Sequence, residues 1–565
     1  ESDAVSLIGR VTRRALAEAP GMDVSGVYVD MGGKKYVDAA ALKEVHTKAA
    51  EYALSRPPAL ARFSQMPFLT RAKDSVLPAA PPLGIRDEAT DDTRTALSLP
   101  SRVKRHLALA SRESLLDRAR IEGGLPDEEL ARDPLKLERM LQPLGDDDSL
   151  ALSKIAVIHI DGNGVGAIMR DLDMAMKKVP DGDFRKEVRC GPDDPDALRR
   201  FLLKVNERLE NSVIQAFVTA WRDVADWARQ DAEATGREHT AIPVVPVILG
   251  GDDVTVITSG DYALPFAAAY LRYYEEATGN DPILRYLTPP EGQDTGPMTA
   301  AAGVAIVKRN FPFHIAYELA EKLVERAKRV GKTACPPCST LDYHVLFDTT
   351  VLDPDEAIRG YESFTTRPFR LLNDDTPSTP CTCNAGSRTA GSGGGEDSTS
   401  AGSSPNDLRH EPWEVTCRRV ARFKGVVPGS VKDSDGDKDK NDHQPFPRTR
   451  AARIRGLLSA AVRERAAHRD DDVTDAPTAE TADRETPGSE TPEEKEDRET
   501  PSHRRARDEW KVAREEVGDW IDTELGGMGA VFDLLELSDL LPPSFFELPL
   551  PSLGEAPNTA SEATE

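Results

Sequence analysis

The 565-residue sequence predicts an α+β protein whose central sheet is organised around two acidic strand ends. Three observations point there. A β-branched run, Ile155, Val157, Ile158 and Ile160, ends at Asp161-Gly162; it is too short for a membrane span and too β-rich for a helix. A second run, residues 244–249, stops at Gly250-Gly251-Asp252-Asp253 and resumes at once over 254–258, which reads as a hairpin whose glycines permit a positive φ. Apolar residues then recur at helical spacing, as Leu202, Val205, Leu209, Val213, Phe217, Ala220 and Val224, and again as Ile315, Leu319, Leu323 and Ala327. Each set gives a helix with one stripe for a sheet.

In chain order, residues 6–19 predict a helix, 26–31 a strand, 38–54 a helix with Leu42, Val45, Ala49 and Tyr52 on one face, and 62–69 a strand. Alternation at this length describes a small N-terminal α/β unit over 1–70. Residues 71–150 read as a linker followed by short helices. Within them Ser101-Arg102-Val103-Lys104-Arg105-His106 is a basic cluster, better taken as a solvated helix start than as a binding patch. Asp146-Asp147-Asp148 reads as a solvated turn. The sheet domain spans 151–350, with a helix over 165–177, an insertion over 178–197, a helix over 262–277, a strand of small residues over 299–307, a helix over 313–330 and a strand over 343–347. His159 and His314 read as core or supporting histidines.

Beyond it, 351–466 is irregular and helical, with low-complexity insertions at 373–410 and 428–447 that have almost nothing apolar to bury. Residues 467–502 form an acidic linker and 549–565 a tail. The segment 503–548 carries Trp510, Trp520, Ile521, Leu525, Phe532 and Leu535, too many apolar groups to leave in water, and should pack back on the sheet domain.

Composition narrows the function. A net charge of −25 argues against a protein that coats nucleic acid, because that binding is driven by Lys and Arg. Direct RNA contact is left open. Six unevenly spaced cysteines do not describe a secreted disulfide scaffold, and no apolar run approaches the about 20 residues of a membrane helix, so a cytoplasmic setting is expected. Cys335-Pro336-Pro337-Cys338 and Cys381-Thr382-Cys383 together offer four thiolates to zinc. Zinc is disfavoured, because C-x-C is a poor second half and free loop thiols are the simpler reading.

If the two acidic strand ends lie side by side, Asp161, Asp252 and Asp253 meet, and like charges that close call for a cation between them. An all-oxygen set suits Mg²⁺ or Mn²⁺. The bland reading of GGDD alone is hairpin punctuation. Likewise, periodicity alone makes Lys322, Arg326, Lys328 and Arg329 no more than a solvated helix face.

The stretches IHIDGNGVGAIM, GGDDV and TAAAGVAIVKRNFPFHIAYELAEKLVERAK resemble, in this order and spacing, the palm domain of the large, polymerase-like subunit of type III CRISPR effector complexes. More distantly they resemble the GGDEF nucleotidyl cyclases. The resemblance covers roughly 150–347 and implies a ferredoxin-like palm, an antiparallel sheet with helices on one face, that binds nucleoside triphosphates. In active members it implies joining of ATP into cyclic oligoadenylates. It places Asp161, Asp252 and Asp253 at metal positions, and the Gly162 carbonyl is a further candidate ligand beside them. Gly164, Gly250 and Gly251 fall beside the nucleotide, and Lys328, with Lys332 as a neighbour, at the triphosphate. Asn163 stands where many relatives have a second acid. With no His-Asp dipeptide in the chain, the resemblance predicts a stand-alone member without the HD nuclease domain.

Two functions are therefore expected from the sequence. One is a metal-dependent nucleotidyl transferase or cyclase acting on ATP in antiviral defence. The other is a nucleotide-binding scaffold that has lost turnover. The resemblance further implies a homodimer or a heteromeric defence complex. GGDD in place of GGDEF disfavours a diguanylate-type cyclase.

Overall fold

The computed structural model describes residues 2–20, 24–55, 70–74, 77–84, 93–124, 130, 154–236, 241–290, 292–308, 311–334, 336–346, 365–371, 410–426, 445–474 and 500–547. Six strands, β1 Lys154–Gly162, β2 Val244–Gly250, β3 Asp253–Ser259, β4 Ala300–Lys308, β5 Thr340–Leu346 and β6 Phe369–Arg370, form one sheet in the order β2-β3-β1-β4-β5-β6. Strand β1 is antiparallel to β3 and β4, β2 is antiparallel to β3, and β5 runs parallel to β4. The order 2-3-1-4, with helical crossovers after β1 and β3, is that of the ferredoxin-like palm.

Helices α1 Ser2–Glu18 and α2 Ala39–Ser55 open the chain, and α3 Leu99–Gly123 follows. After β1 come α4 Val165–Arg170, α5 Leu172–Lys178, α6 Asp181–Val188 and the 39-residue α7 Ala197–Thr235. Helix α8, Ala263–Asn280, joins β3 to β4, and α9, Phe313–Thr333, joins β4 to β5. The C-terminal part holds α10 Trp413–Lys424, α11 Arg448–Thr474, α12 Pro501–Val517, α13 Trp520–Glu524, α14 Val531–Leu540 and α15 Ser544–Glu547.

Side chains alternate across a strand, so β1 presents Ala156, Ile158 and Ile160 to one face and Val157 to the other. The first set belongs to the main core with Val254, Val256, Val304 and Ile306, beneath Phe217 and Trp221 of α7 and Phe266 and Tyr270 of α8. The two crossover helices thus share one face, as expected. Helix α9 covers the opposite face as well, placing Ala316, Leu319, Ala320 and Leu323 on Val157, Ala305 and Val307. Its approach is as close as backbone allows: a Cβ on Gly303 of β4 would stand 2.2 Å from the Ala320 carbonyl and 2.7 Å from the Val324 amide.

The C-terminal helices pack back on the palm. Arg367 and Asp533 are both buried and paired at 3.3 Å, and Thr365 and the Thr366 amide donate to the Asp533 carboxylate. The Arg367 guanidinium lies 4.3 Å from the centre of the Tyr343 ring. On the far side, Asp231 of α7 accepts from Tyr262 and from both the amide and the hydroxyl of Ser544, while Phe545 packs edge-on against Trp227.

Several expectations need correction. Residues 26–31 carry no strand, since no described neighbour pairs with them; Gly26 packs instead against Ile8 of α1. The segment from Leu99 is one 25-residue helix, capped by Ser98 and ended by Gly124 in the left-handed region. The predicted helix over 165–177 breaks at Asp171 into α4 and α5. Helix α11 runs into the stretch read as linker, and Phe446, inside the stretch read as a charged insertion, stacks between Phe423 and Trp510. The predicted strand over 62–69 and the acidic turn 146–148 lie outside the described residues. No described helix is long and apolar enough to cross a membrane.

Candidate functional site

Register brings the two acidic strand ends together. Asp161 of β1 stands opposite Asp253 of β3, and the Gly162 amide donates to the Asp252 carbonyl at 3.2 Å. That bond makes 161 and 253 a non-hydrogen-bonded pair, the closer kind, with Cα atoms about 4.5 Å apart and side chains on one face. The hairpin closes on Gly250 paired with Asp253. Gly251 carries φ 65° at the first central position of the turn, the sign a type II′ loop requires. Asp252 turns toward the core: its Cβ lies 3.0 Å from where a Gly162 side chain would begin, and the Tyr274 hydroxyl 3.3 Å from the same point.

Burial and the crowding of like charge both weaken the acids at this turn. Burial, then Asp253 and Asp161, push the Asp252 carboxyl above the ordinary range, and burial, then Asp161, does the same to Asp253. Lys328 answers this charge by forming an ion pair with Asp161. The lysine is delivered by α9, where Val324 and Ala327 pack on Ala301, the β4 residue directly beside Asp161. Arg326, two residues earlier, is tied to the fully buried Asp342 by bonds of 2.5 and 2.9 Å, which fixes the helix against β5.

The turn after β1 is polar and enclosed. Asn163 is buried; its amide N–H donates to the Thr299 carbonyl at 2.8 Å and its side-chain Nδ2 to the Thr299 hydroxyl at 3.0 Å. Its Oδ1, the Tyr274 hydroxyl and the Thr288 hydroxyl are buried without protein partners. Gly164, at φ 84°, leads into α4 beside Thr288. Tyr274, Thr288 and Thr299 escape a sequence reading: Tyr270 and Tyr274 show only helical spacing, and a lone threonine carries no signal.

Of the residues expected at the site, Asp161, Gly162, Gly164, Gly250, Gly251, Asp252, Asp253 and Lys328 sit at this end of the sheet. Lys332 is exposed one turn further along α9. Arg102 of the basic cluster is buried and spends its guanidinium on the carbonyls of Ala80 and Thr95. His314 is exposed rather than supporting, while His159 packs on Tyr317 and bonds Thr255. Of the four cysteines considered for zinc, Cys335, Cys381 and Cys383 lie outside the described residues. Cys338 is a free thiol that burial pushes up to about 12.

The three acids supply the oxygen donors that a hard divalent ion takes, and burial, then the neighbouring acids, favours protonation of Asp252 and Asp253. Among the described residues no three His, Cys, Asp or Glu side chains are arranged so that they could hold a metal ion, and Lys328 holds one of the three acids.

Sheet order, crossover helices and an acidic turn at one sheet end define a palm domain. Residues 154–335 match the family model for the second palm domain of Cas10/Cmr2. This part of the chain is therefore a palm domain of the type III CRISPR large-subunit kind. No curated protein matches the chain. Among solved structures, one described as a Csm1-Csm4 cassette in complex with cA4 aligns at 14% identity with a TM-score of 0.21, covering 38% of this chain and 25% of that one. The chain thus spans about a quarter of that structure's length.

Proposed function

We propose that this palm is a metal-dependent nucleotidyl transferase or cyclase that makes cyclic oligoadenylate-type messengers from ATP in antiviral, CRISPR-type defence. In the reaction a ribose hydroxyl gives up its proton to solvent and forms a bond to the α-phosphorus of a second nucleotide, the bond to the β-phosphate oxygen breaks, and pyrophosphate leaves with the electron pair. Bound Mg²⁺ or Mn²⁺ would activate the attacking hydroxyl and neutralise the leaving pyrophosphate. Asp161, Asp252 and Asp253, with the Gly162 carbonyl, would hold that ion. Gly164, Gly250 and Gly251 leave the backbone open to phosphate, and Lys328, with Lys332 behind it, would take the outer phosphates.

One observation carries this reading. Asp161 and Asp253 face each other in register, with Lys328 already at the same carboxylate. Hairpin punctuation alone calls for neither the opposed acid nor the lysine. The test is incubation of the protein with labelled ATP and Mn²⁺ or Mg²⁺. Pyrophosphate release that disappears when Asp252→Ala and Asp253→Ala are combined supports the reading, and its absence from the native protein under every activating condition would sink it.

A second reading is a nucleotide-binding scaffold of a defence complex, and Asn163 favours it. The residue where many relatives have an acid is a neutral amide whose Nδ2 is committed to Thr299. Binding of ATP without turnover would select this reading. The enzyme would act as a homodimer or within a heteromeric complex, because a palm that joins two nucleotides needs a second nucleotide held opposite the first; the scaffold would sit in a heteromeric defence complex.

A further inference from the structure

The ion pair at Asp161 has a consequence for the order in which ligands bind. Lys328 stands one residue from Ala327, which packs on Ala301 beside Asp161. Gly303 lets α9 lie in backbone contact with β4, and Arg326 is clamped on Asp342. These contacts tie the helix backbone to the sheet, while Lys328 reaches Asp161 through a flexible four-carbon stem. It is largely shielded, with 20% of its side chain exposed against 29% for Asp161. A cation approaching the acids from solvent meets a carboxylate already neutralised.

Resting on the reading above, we infer that Lys328 is a resident counter-ion at Asp161 that a divalent ion must displace, so that metal binds well only when a nucleotide triphosphate draws the lysine away. In the free protein the ammonium offsets the repulsion among Asp161, Asp252 and Asp253. When a triphosphate enters, its outer oxygens compete for the ammonium, Asp161 is released, and the divalent ion takes its place between carboxylates and phosphate. Metal and nucleotide then reinforce each other, and thermodynamic reciprocity requires that each tighten the other by the same factor. The device keeps the acidic turn from being loaded by metal alone.

The test measures Mn²⁺ affinity directly, by electron paramagnetic resonance or calorimetry on the full chain, with and without an ATP analogue that cannot be cleaved between the α- and β-phosphates. Native protein should bind Mn²⁺ about tenfold or more tightly with the analogue than without it. Lys328→Met should tighten nucleotide-free Mn²⁺ binding about tenfold, erase most of the nucleotide dependence and weaken the analogue itself. Lys328→Arg, which keeps the charge, should retain the coupling. Melting in EDTA should show Lys328→Met less stable than native, with Mn²⁺ restoring it; that recovery also shows that the variant folds. If native protein binds Mn²⁺ with the analogue but Lys328→Met leaves nucleotide-free affinity unchanged or weaker, the counter-ion role is wrong while the nucleotide reading stands. If native protein binds neither Mn²⁺ nor the analogue, both fall.

Discussion

Gly303 of β4 and Ala320 of α9 meet backbone to backbone, with only 2.2 Å between the carbonyl of Ala320 and the place a Cβ on residue 303 would occupy. Because those neighbours are helix backbone, Gly303→Ala must lift α9 off the sheet. We expect a loss of stability of about 1–3 kcal/mol or more, as for other overpacked sites. Lys328 should leave Asp161 at the same time. Melting combined with nucleotide titration checks this; a variant with native melting and native nucleotide affinity would show that the helix position is not fixed by this glycine.

Asp253 is held beside two other acids, so removing its charge should help the metal-free protein and harm the metal-bound one. Asp253→Asn is expected to raise the melting temperature in EDTA by about 1–2 °C, the small effect appropriate to a largely exposed charge. Adding Mn²⁺ should reverse the ranking, with native protein gaining more. Melting curves in EDTA and in Mn²⁺ decide the matter.

Arg367 and Asp533 bind the segment after the palm to α14 inside a buried contact, where burial already pushes the Asp533 carboxyl up. Arg367→Met leaves that carboxylate uncompensated and should cost about 3–5 kcal/mol, whereas Arg367→Met with Asp533→Leu should recover much of it. Hydrogen exchange should show α14 opening in the single variant. Equal losses in the single and double variants would mean that packing, not charge, joins these parts.

His344 on β5 supplies a pH dependence. Burial, then Arg367 and Arg326, hold its imidazole down at about 3, against about 6.5 in an unfolded chain. As pH falls the unfolded chain takes up this proton first, so the contribution of neutral His344 is complete above about 6.5 and drains away between there and about 3. Native protein should lose stability over that window with a slope about one proton steeper than His344→Gln. Identical slopes in chemical denaturation at pH 6, 5 and 4 would refute it.

Strand residues with apolar alternation or a turn signal were legible in the sequence, so β1 and the hairpin of β2 and β3 are found within a residue or two. The register that sets Asp161 against Asp253 follows once the strands are adjacent. Adjacency itself, and the reach of α9 to Asp161, depend on contacts between distant segments, so only the family resemblance singled out Lys328. The strand expected at 26–31 failed for the converse reason: its composition suits a strand, but strand structure needs a partner. Arg102 misled in another way, since a basic cluster looks alike whether its charges face solvent or buried carbonyls. Phe446 shows that an apolar residue inside a charged stretch can be pulled into order by two aromatic neighbours far away in sequence.

The seating of Ser544 on Asp231 joins positions 313 residues apart. On the ribosome the palm's longest helix is therefore finished long before the segment that covers its buried aspartate emerges. Until then Asp231 lacks the two hydrogen bonds of Ser544 and Trp227 the ring of Phe545, so a chain stopped after α9 and before residue 544 would carry both acidic strand ends on an incompletely covered palm.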